Sequence, residues 1–200
     1  MIDGMRLFVR VVMLLCALLP AVSQEEKFAA SPDFAKVLSF EGEHTTQAPF
    51  GWRGRLANIA VDENIKHGGR WSARLEGDPY SIYKFVPLTY TVPVNFKGRK
   101  IELRGFLRME DVTGFAALWI REDGRSGAVA FDNMQSRNLH GTHDWKEYSI
   151  VLPLKGSAQS ISFGALVASA GTLWVDDLQL FVDGKPLWET PLVEVHKKKK

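Results

Sequence analysis

The residues most able to do chemistry form a polar loop between two apolar segments of the chain. The loop carries His140, His143 and Asp144, which are residue types that ligate zinc, and it also contains Asn133 and Arg137. A zinc site on a loop needs a fourth ligand or an ordered second shell. The sequence marks out neither, so ordinary loop histidines are favoured over a metal trio.

The same part of the chain offers no hydrolase motif. The nearest approach to G-x-S-x-G is GRSG at residues 124–127, which has the wrong spacing and falls in a predicted hairpin turn. The carboxylate pairs Glu110-Asp111 and Glu122-Asp123 belong to predicted strands, where adjacent side chains point to opposite faces. Neither pair can act as an acid/base couple by itself. We therefore predict that the protein is not an enzyme.

Aromatic and amide side chains suggest ligand binding instead. Sugars present apolar faces to aromatic rings and hydroxyl groups to Asn, Asp and Arg, and the chain has six tryptophans. Because loops on a rigid scaffold commonly carry recognition, we predict a ligand-binding rim formed by Trp119, Asn133 and Arg137. The alternative is that most tryptophans are core residues and that Asp132 and Asn133 satisfy turn backbone.

Antiparallel strands must position these residues. The segment from Phe115 to Phe131 gives two apolar runs around an Asp-Gly turn, which is a hairpin signal. Residues 100–109 and 172–182 alternate apolar and polar side chains, which is typical of half-buried strands. The sequence therefore predicts an all-β antiparallel β-sandwich of the jelly-roll type over residues 37–183, with VLSFEGE at 37–43 as its first strand. The predicted core-facing residues are Phe40, Leu103, Leu107, Trp145, Trp174, Leu178 and Leu180.

The ends of the chain are expected to lie outside the sandwich. Residues 1–23 have the arginines, apolar run and small-residue site of a secretory signal peptide. Residues 24–36 are predicted to be a linker, and residues 184–200 a strap with a basic tail. We expect a secreted or periplasmic protein without stable membrane insertion after signal cleavage.

Charge and cysteine content narrow the possibilities further. The formal charge of +2 includes the four terminal lysines, and no basic stripe interleaved with aromatics suggests nucleic acid. Cys16 lies in the predicted signal, so the mature chain has no disulfides and depends on its core or on a bound ion.

Several segments resemble a known family. FEG at 40–42, HGGRWSARLEG at 67–77 and LWVDDLQLF at 173–181 are similar to the galactose-binding-like β-sandwich shared by many carbohydrate-binding modules. More narrowly, residues 107–124, 130–153 and 171–187 resemble the non-catalytic module that precedes the catalytic domain in some secreted bacterial serine peptidases of the C-terminal processing type. Related stretches accompany other bacterial effector domains.

The resemblance implies a non-catalytic module, and two functions are open. One is ligand binding, with a glycan as the expected ligand. The other is a structural or protein-interaction role in which the module positions a partner or a catalytic domain. Proteolytic activity is not implied, because the residues that would perform it are absent from this sequence.

A structural cation is the last expectation. Period-2 alternation in the closing strand places Asp176 on the face of Trp174 and Leu178, and a buried carboxylate is costly unless it is paired or bound to metal. Sandwiches of the resembling family often hold calcium between such an aspartate, an acidic residue of the first strand and a glycine-bearing loop. That resemblance predicts a Ca²⁺ site made by Glu41, Gly68, Arg70 and Asp176. The alternative is that Asp176 accepts hydrogen bonds from backbone N–H groups or Arg70.

Overall fold

Antiparallel strands make up more than half of the residues that the structure describes. The computed structural model describes residues 31, 33–45, 49–80, 82 and 84–193, so the predicted signal peptide and the terminal lysines lie outside the described residues. The described part contains one α-helix, α1 (Asp33–Leu38), which is too short to cross a membrane. Its strands are β1 (Arg53–Gly54), β2 (Ile59–Asp62), β3 (Ser72–Glu76), β4 (Phe85–Pro93), β5 (Lys100–Val112), β6 (Ala116–Gly124), β7 (Gly127–Asp132), β8 (Gly141–Pro153), β9 (Ser160–Ala168), β10 (Thr172–Val182) and β11 (Lys185–Pro186).

The strands form two sheets that pack face to face. The five-stranded sheet has the order β1-β4-β9-β6-β7, and the six-stranded sheet has the order β2-β3-β10-β5-β8 with β11 added to β10. All the pairings are antiparallel. This architecture confirms the predicted all-β antiparallel sandwich.

Alternation along β5 shows how the sequence builds the core. Leu103 and Leu107 are fully buried, whereas Arg104, Phe106 and Arg108 between and beside them are half-buried on the outer face. Apolar residues of both sheets meet between the layers in one contiguous cluster. Burial of these side chains supplies the main stabilisation, at about 25 cal/mol for each Å² of apolar surface removed from water.

The first predicted element is wrong in type. Residues 37–43 were expected to form a strand, but α1 runs to Leu38 and the chain then turns at Phe40, which has φ +62°. Packing also begins earlier than the predicted domain start at residue 37, since Phe34 is fully buried and its ring lies 5.5 Å from Tyr90. The indole Nε1 of Trp52 donates to the Val37 carbonyl oxygen over 3.0 Å. The helix is therefore part of the sandwich and covers its core.

A β-bulge in β10 corrects the predicted core faces. In β10, Asp176 pairs with Phe106 and Gln179 with Arg104, so two residues of β10 oppose one of β5. Asp177 takes φ +48° at this bulge. The extra residue reverses which side chains of β10 face the core. Trp174 and Asp176 therefore lie on the outer side of the sheet, whereas Leu178 and Leu180 face the core as predicted.

A second bulge lies in β8 next to Trp145. Residues 144 and 145 together oppose Arg108, between the pairs Lys146 with Leu107 and His143 with Met109. Trp145 is half-buried, and its ring contacts His67 at 5.8 Å. The prediction that Trp145 faces the core is therefore wrong. Alternation counted back from the buried Ile150 through Tyr148 and Lys146 already places Trp145 on the outer face.

The integration of α1 can be tested with two phenylalanines. Phe34→Ala removes a fully buried ring, whereas Phe50→Ala removes one that is 68% exposed and lies in a nearby turn. We expect Phe34→Ala to lower the free energy of unfolding by about 3–5 kcal/mol and Phe50→Ala to change it by less than about 0.5 kcal/mol. Urea unfolding measures both. Equal effects of the two substitutions would show that the helix does not belong to the folded unit.

Candidate functional site

One outer sheet surface combines aromatic and polar side chains. Leu118 and Ile120 of β6 are fully buried in the core, so alternation places Trp119 and Arg121 on the outer face of the five-stranded sheet. In the strand register Arg121 lies between Phe131 of β7 and Ser162 of β9, and Ser162 in turn lies beside Thr91 of β4. We call the surface formed by Thr91, Trp119, Arg121, Phe131 and Ser162 the platform.

The indole of Trp119 forms the floor of the platform. Its Nε1 donates to the Leu88 carbonyl oxygen over 3.3 Å. Leu88 is on β4, two strands away from Trp119, so the ring crosses β9 at Gly164, the residue that pairs with Trp119. A side chain cannot be added there, since a Cβ on Gly164 would collide with the Leu88 carbonyl. Trp119 is 8% exposed and belongs to the hydrophobic core cluster, so its ring is covered and offers little surface to solvent.

The polar groups of the platform hold one another in place. The Arg121 Nε donates to the Asp123 carboxylate over 3.0 Å, and the hydroxyl oxygens of Thr91 and Ser162 lie 3.0 Å apart. Phe131 stands beside Arg121 and is 55% exposed. An exposed ring next to oriented donors and acceptors matches a ligand with one apolar face and several hydroxyl groups.

The structure does not bring the three predicted binding residues together. Trp119 lies in the platform, but the Arg137 Nη2 donates to the Ser149 carbonyl of β8, in the other sheet, over 2.8 Å. The Asn133 Oδ1 accepts from Gln135 N–H over 3.2 Å, and Asp132 accepts from Met134 N–H over 2.7 Å. These contacts agree with the alternative in which the loop satisfies its own turn backbone.

Sequence reasoning missed Arg121, Phe131, Thr91 and Ser162 as site residues. Alternation around Leu118 and Ile120 could have placed Arg121 beside Trp119 on the outer face. The proximity of Thr91 and Ser162 had no signal in the sequence, because it depends on which strands are neighbours.

The residues of the predicted cation site do meet around one loop. Asp176 is fully buried, and its Oδ2 accepts from the backbone N–H groups of His67 and Gly68 over 2.8 and 3.1 Å. Its Oδ1 accepts from Asp177 N–H over 2.7 Å. These donors occupy lone pairs that a cation would need, so the contacts agree with the hydrogen-bonded alternative.

Glu41 holds the other end of the same loop. Its Oε1 accepts from the N–H groups of Arg70 and Trp71 over 2.7 and 3.0 Å. Gly69 has φ +54°, and a Cβ there would collide with Glu41. Within the described ranges, no three His, Cys, Asp or Glu side chains are grouped to hold a metal ion. The calcium ion therefore stays a prediction.

Burial changes the titration of Asp176. Loss of solvent raises the pKa of this carboxyl to about 6, against the lowering effect of the N–H groups of Gly68 and His67. The neighbouring Asp177 charge also raises it. His67 lies over Phe106 with its ring 3.5 Å away, and its Nδ1 is 2.7 Å from the Asp177 Oδ2.

One curated protein shares sequence with part of this chain. The chain matches no protein-family model. Over 121 residues it is 37% identical to an uncharacterized HTH-type transcriptional regulator, YbfP, of Bacillus subtilis. The match covers 59% of this chain and 41% of the regulator, so the chain corresponds to less than half the length of this relative.

Solved structures share the β-sandwich at low sequence identity. The CBM22-1 xylan-binding domain of Paenibacillus barcinonensis Xyn10C is 16% identical, with 74% of this chain and 92% of that domain covered and a TM-score of 0.50. TmCBM61 in complex with β-1,4-galactotriose is also 16% identical, with 74% and 97% covered and a TM-score of 0.50. A cyclase from Fischerella sp. TAU is 14% identical, with 75% and 96% covered and a TM-score of 0.55. These likenesses confirm the fold expected from the sequence and show that both binding modules and enzymes use it.

The buried carboxyl of Asp176 makes a prediction about pH. The Asp176 carboxyl binds a proton more tightly in the folded chain than in the unfolded chain. Its contribution to stability is therefore fully present below about pH 4, and it is lost as pH rises through about 6. The substitution Asp176→Asn removes this pH-dependent contribution to the free energy of unfolding. With chelator present, we expect the stability difference between variant and wild type to change by on the order of 3 kcal/mol between these limits. If urea unfolding gives the wild type and Asp176→Asn the same dependence of stability on pH, Asp176 does not have a raised pKa.

If calcium binds at Asp176, the stability that it adds should increase with pH, which is opposite to the contribution of the protonated carboxyl. A cation favours the ionised carboxylate, so added Ca²⁺ would raise the thermal midpoint of the wild type near neutral pH and leave Asp176→Asn nearly unchanged. Thermal unfolding with Ca²⁺ and with chelator measures the shift. Identical midpoints in the two solutions would exclude the predicted ion.

Proposed function

We propose that this protein is a non-catalytic carbohydrate-binding module and that the platform is its binding surface. The observation that carries the proposal is the exposed ring of Phe131, which stands beside Arg121 on the outer face of the five-stranded sheet. A sugar ring would pack its C–H face on the Phe131 ring and direct its hydroxyl groups to Arg121, Asp123 and Thr91.

The dimensions of the platform favour an extended ligand. Thr91, Ser162, Arg121 and Phe131 occupy four neighbouring strands, so the row spans three strand spacings, roughly 14 Å. A chain of several sugar units could contact the whole row, whereas a small metabolite would touch only part of it. The similar folds of a xylan-binding domain and of a galactotriose complex support a polysaccharide as the ligand class.

The chemistry of the platform supports binding without catalysis. Covalent or acid-base catalysis needs a nucleophile or a proton-transfer group with a free, activated atom. On the platform the carboxylate of Asp123 is paired with Arg121, and the hydroxyl groups of Thr91 and Ser162 contact each other. The cyclase with the same fold shows that the architecture alone does not decide this point.

A second function is an accessory role beside another domain. The partial match to a longer transcriptional regulator supports it, because the matched segment is one part of that protein. In this alternative the sandwich receives a ligand or partner and passes the event to a neighbouring domain. The resemblance to the module of secreted processing peptidases supports the same role, and the predicted signal peptide supports a location outside the cytoplasm.

Binding to insoluble and soluble polysaccharides tests the first function. We expect the protein to bind at least one of xylan and β-1,4-galactan in affinity electrophoresis. Phe131→Ala should weaken that binding about tenfold, because loss of an aromatic contact of roughly 1.4 kcal/mol has that effect. Phe181→Ala removes a ring beside Arg104 on the other sheet and serves as the matched control.

Arg121 and Arg137 separate the platform from the loop predicted by the sequence. Arg121→Ala should weaken binding, whereas Arg137→Ala should leave it unchanged because Arg137 donates to the Ser149 carbonyl. The reverse pattern would move the site to the loop. Failure of the wild type to bind either polymer would remove the proposal and favour the accessory role.

A further inference from the structure

We propose a second carbohydrate-binding site, separate from the platform, that accepts a single sugar ring. It is a cavity of about 630 Å³ between the loop at Asn138–His140 and the first half of β8. This volume lies within the range of pockets that bind small ligands. The platform lies on the five-stranded sheet, whereas β8 belongs to the other sheet, so this inference goes beyond the proposed function and does not depend on it.

The loop that forms one wall is held rigidly. Met134, Asn138 and Gly141 all have positive φ, at 54°, 48° and 84°. Such conformations are costly for non-glycine residues and persist only where the surroundings fix them. The side chain of Met134 is buried, and the Leu139 carbonyl accepts from Ala116 N–H over 2.8 Å. The cavity wall is therefore preorganised, which reduces the cost of ordering it around a ligand.

Two histidines present hydrogen-bond acceptors to this cavity. The His140 Nδ1 lies 2.7 Å from the Asn138 carbonyl oxygen, and the His143 Nε2 lies 2.9 Å from the His140 carbonyl oxygen. A carbonyl can only accept, so these ring nitrogens carry the protons. In the neutral rings the remaining atoms, Nε2 of His140 and Nδ1 of His143, are acceptors for a ligand.

Aromatic and charged groups complete the lining. Trp145 and Tyr148 are half-buried, and the Lys146 Nζ lies 5.7 Å from the centre of the Tyr148 ring. Burial raises the pKa of Tyr148, so its hydroxyl keeps its proton. The Asp144 Oδ1 accepts from Trp145 N–H over 2.8 Å, and this carboxylate adds further acceptor capacity.

The balance of these groups indicates the ligand class. Two imidazole acceptors and a carboxylate require a ligand that donates several hydrogen bonds, and the two aromatic rings require an apolar face. An anion would meet Asp144 as well as Lys146, and a plain hydrocarbon would displace water from the acceptors without replacing its hydrogen bonds. A pyranose ring has hydroxyl donors at its edge and C–H groups on its face, so it satisfies both requirements.

Titration with single sugars tests the site. The probes are the methyl glycosides of D-xylose, D-galactose and D-glucose, and the readout is the assigned indole N–H signal of Trp145 in ¹H–¹⁵N NMR spectra. We expect saturable shifts of this signal with at least one glycoside. His143→Phe keeps a ring of similar shape but removes both nitrogens, and it should weaken the affinity about tenfold through the lost hydrogen bond.

Control variants distinguish this site from the platform. His44→Phe changes a histidine that packs on Trp71 outside the cavity, and Phe131→Ala changes the platform. Both should leave the Trp145 titration unchanged. Absence of saturable shifts with all three glycosides, or equal weakening by His44→Phe and His143→Phe, would overturn the second site even where polysaccharide binding at the platform is observed.

Discussion

Two carboxylates, those of Glu41 and Asp176, hold the loop at His67–Trp71 by hydrogen bonds to its backbone. These bonds connect three distant parts of the chain. Glu41 follows the N-terminal helix, the loop leads into β3, and Asp176 belongs to the last long strand. Four backbone N–H groups of the loop find their acceptors there, so a segment that would otherwise need water is packed over the six-stranded sheet. Through this contact the helix that covers the core is fixed relative to the six-stranded sheet.

Residue alternation explains how much of the fold could be predicted from the sequence. On β5 the apolar residues at 101, 103 and 107 follow period 2 without interruption, and the buried positions agree with the prediction. On β10 a single extra residue at the bulge reverses the parity, so period 2 places Trp174 on the wrong face. Trp145 faces outward without the help of a bulge, since alternation counted back from the buried Ile150 already gives that orientation. The first element failed for another reason, since Leu38 and Phe40 can be buried equally well by a short helix and a turn.

The proposed binding surface was less predictable than the fold because it depends on strand order. Trp119 was recognised from its residue type, but its neighbours Thr91 and Ser162 are 71 residues apart in the chain and meet only because β4 pairs with β9. Their place in a polar loop predicts that Asn133 and Arg137 bind a ligand, but in the structure their polar atoms contact residues of the loop itself and β8. A polar loop residue is often occupied by the backbone around it.

The pairing of Arg121 with Asp123 also determines how a ligand would approach. Because the two charges cancel at short range, the platform has little electrostatic field of its own beyond a Debye length, which is about 8 Å at physiological salt. Encounter with a neutral polymer then proceeds by diffusion without steering, and it is insensitive to ionic strength. Each contact would be weak and short-lived, so firm attachment to a polysaccharide would depend on several modules binding the same chain at once.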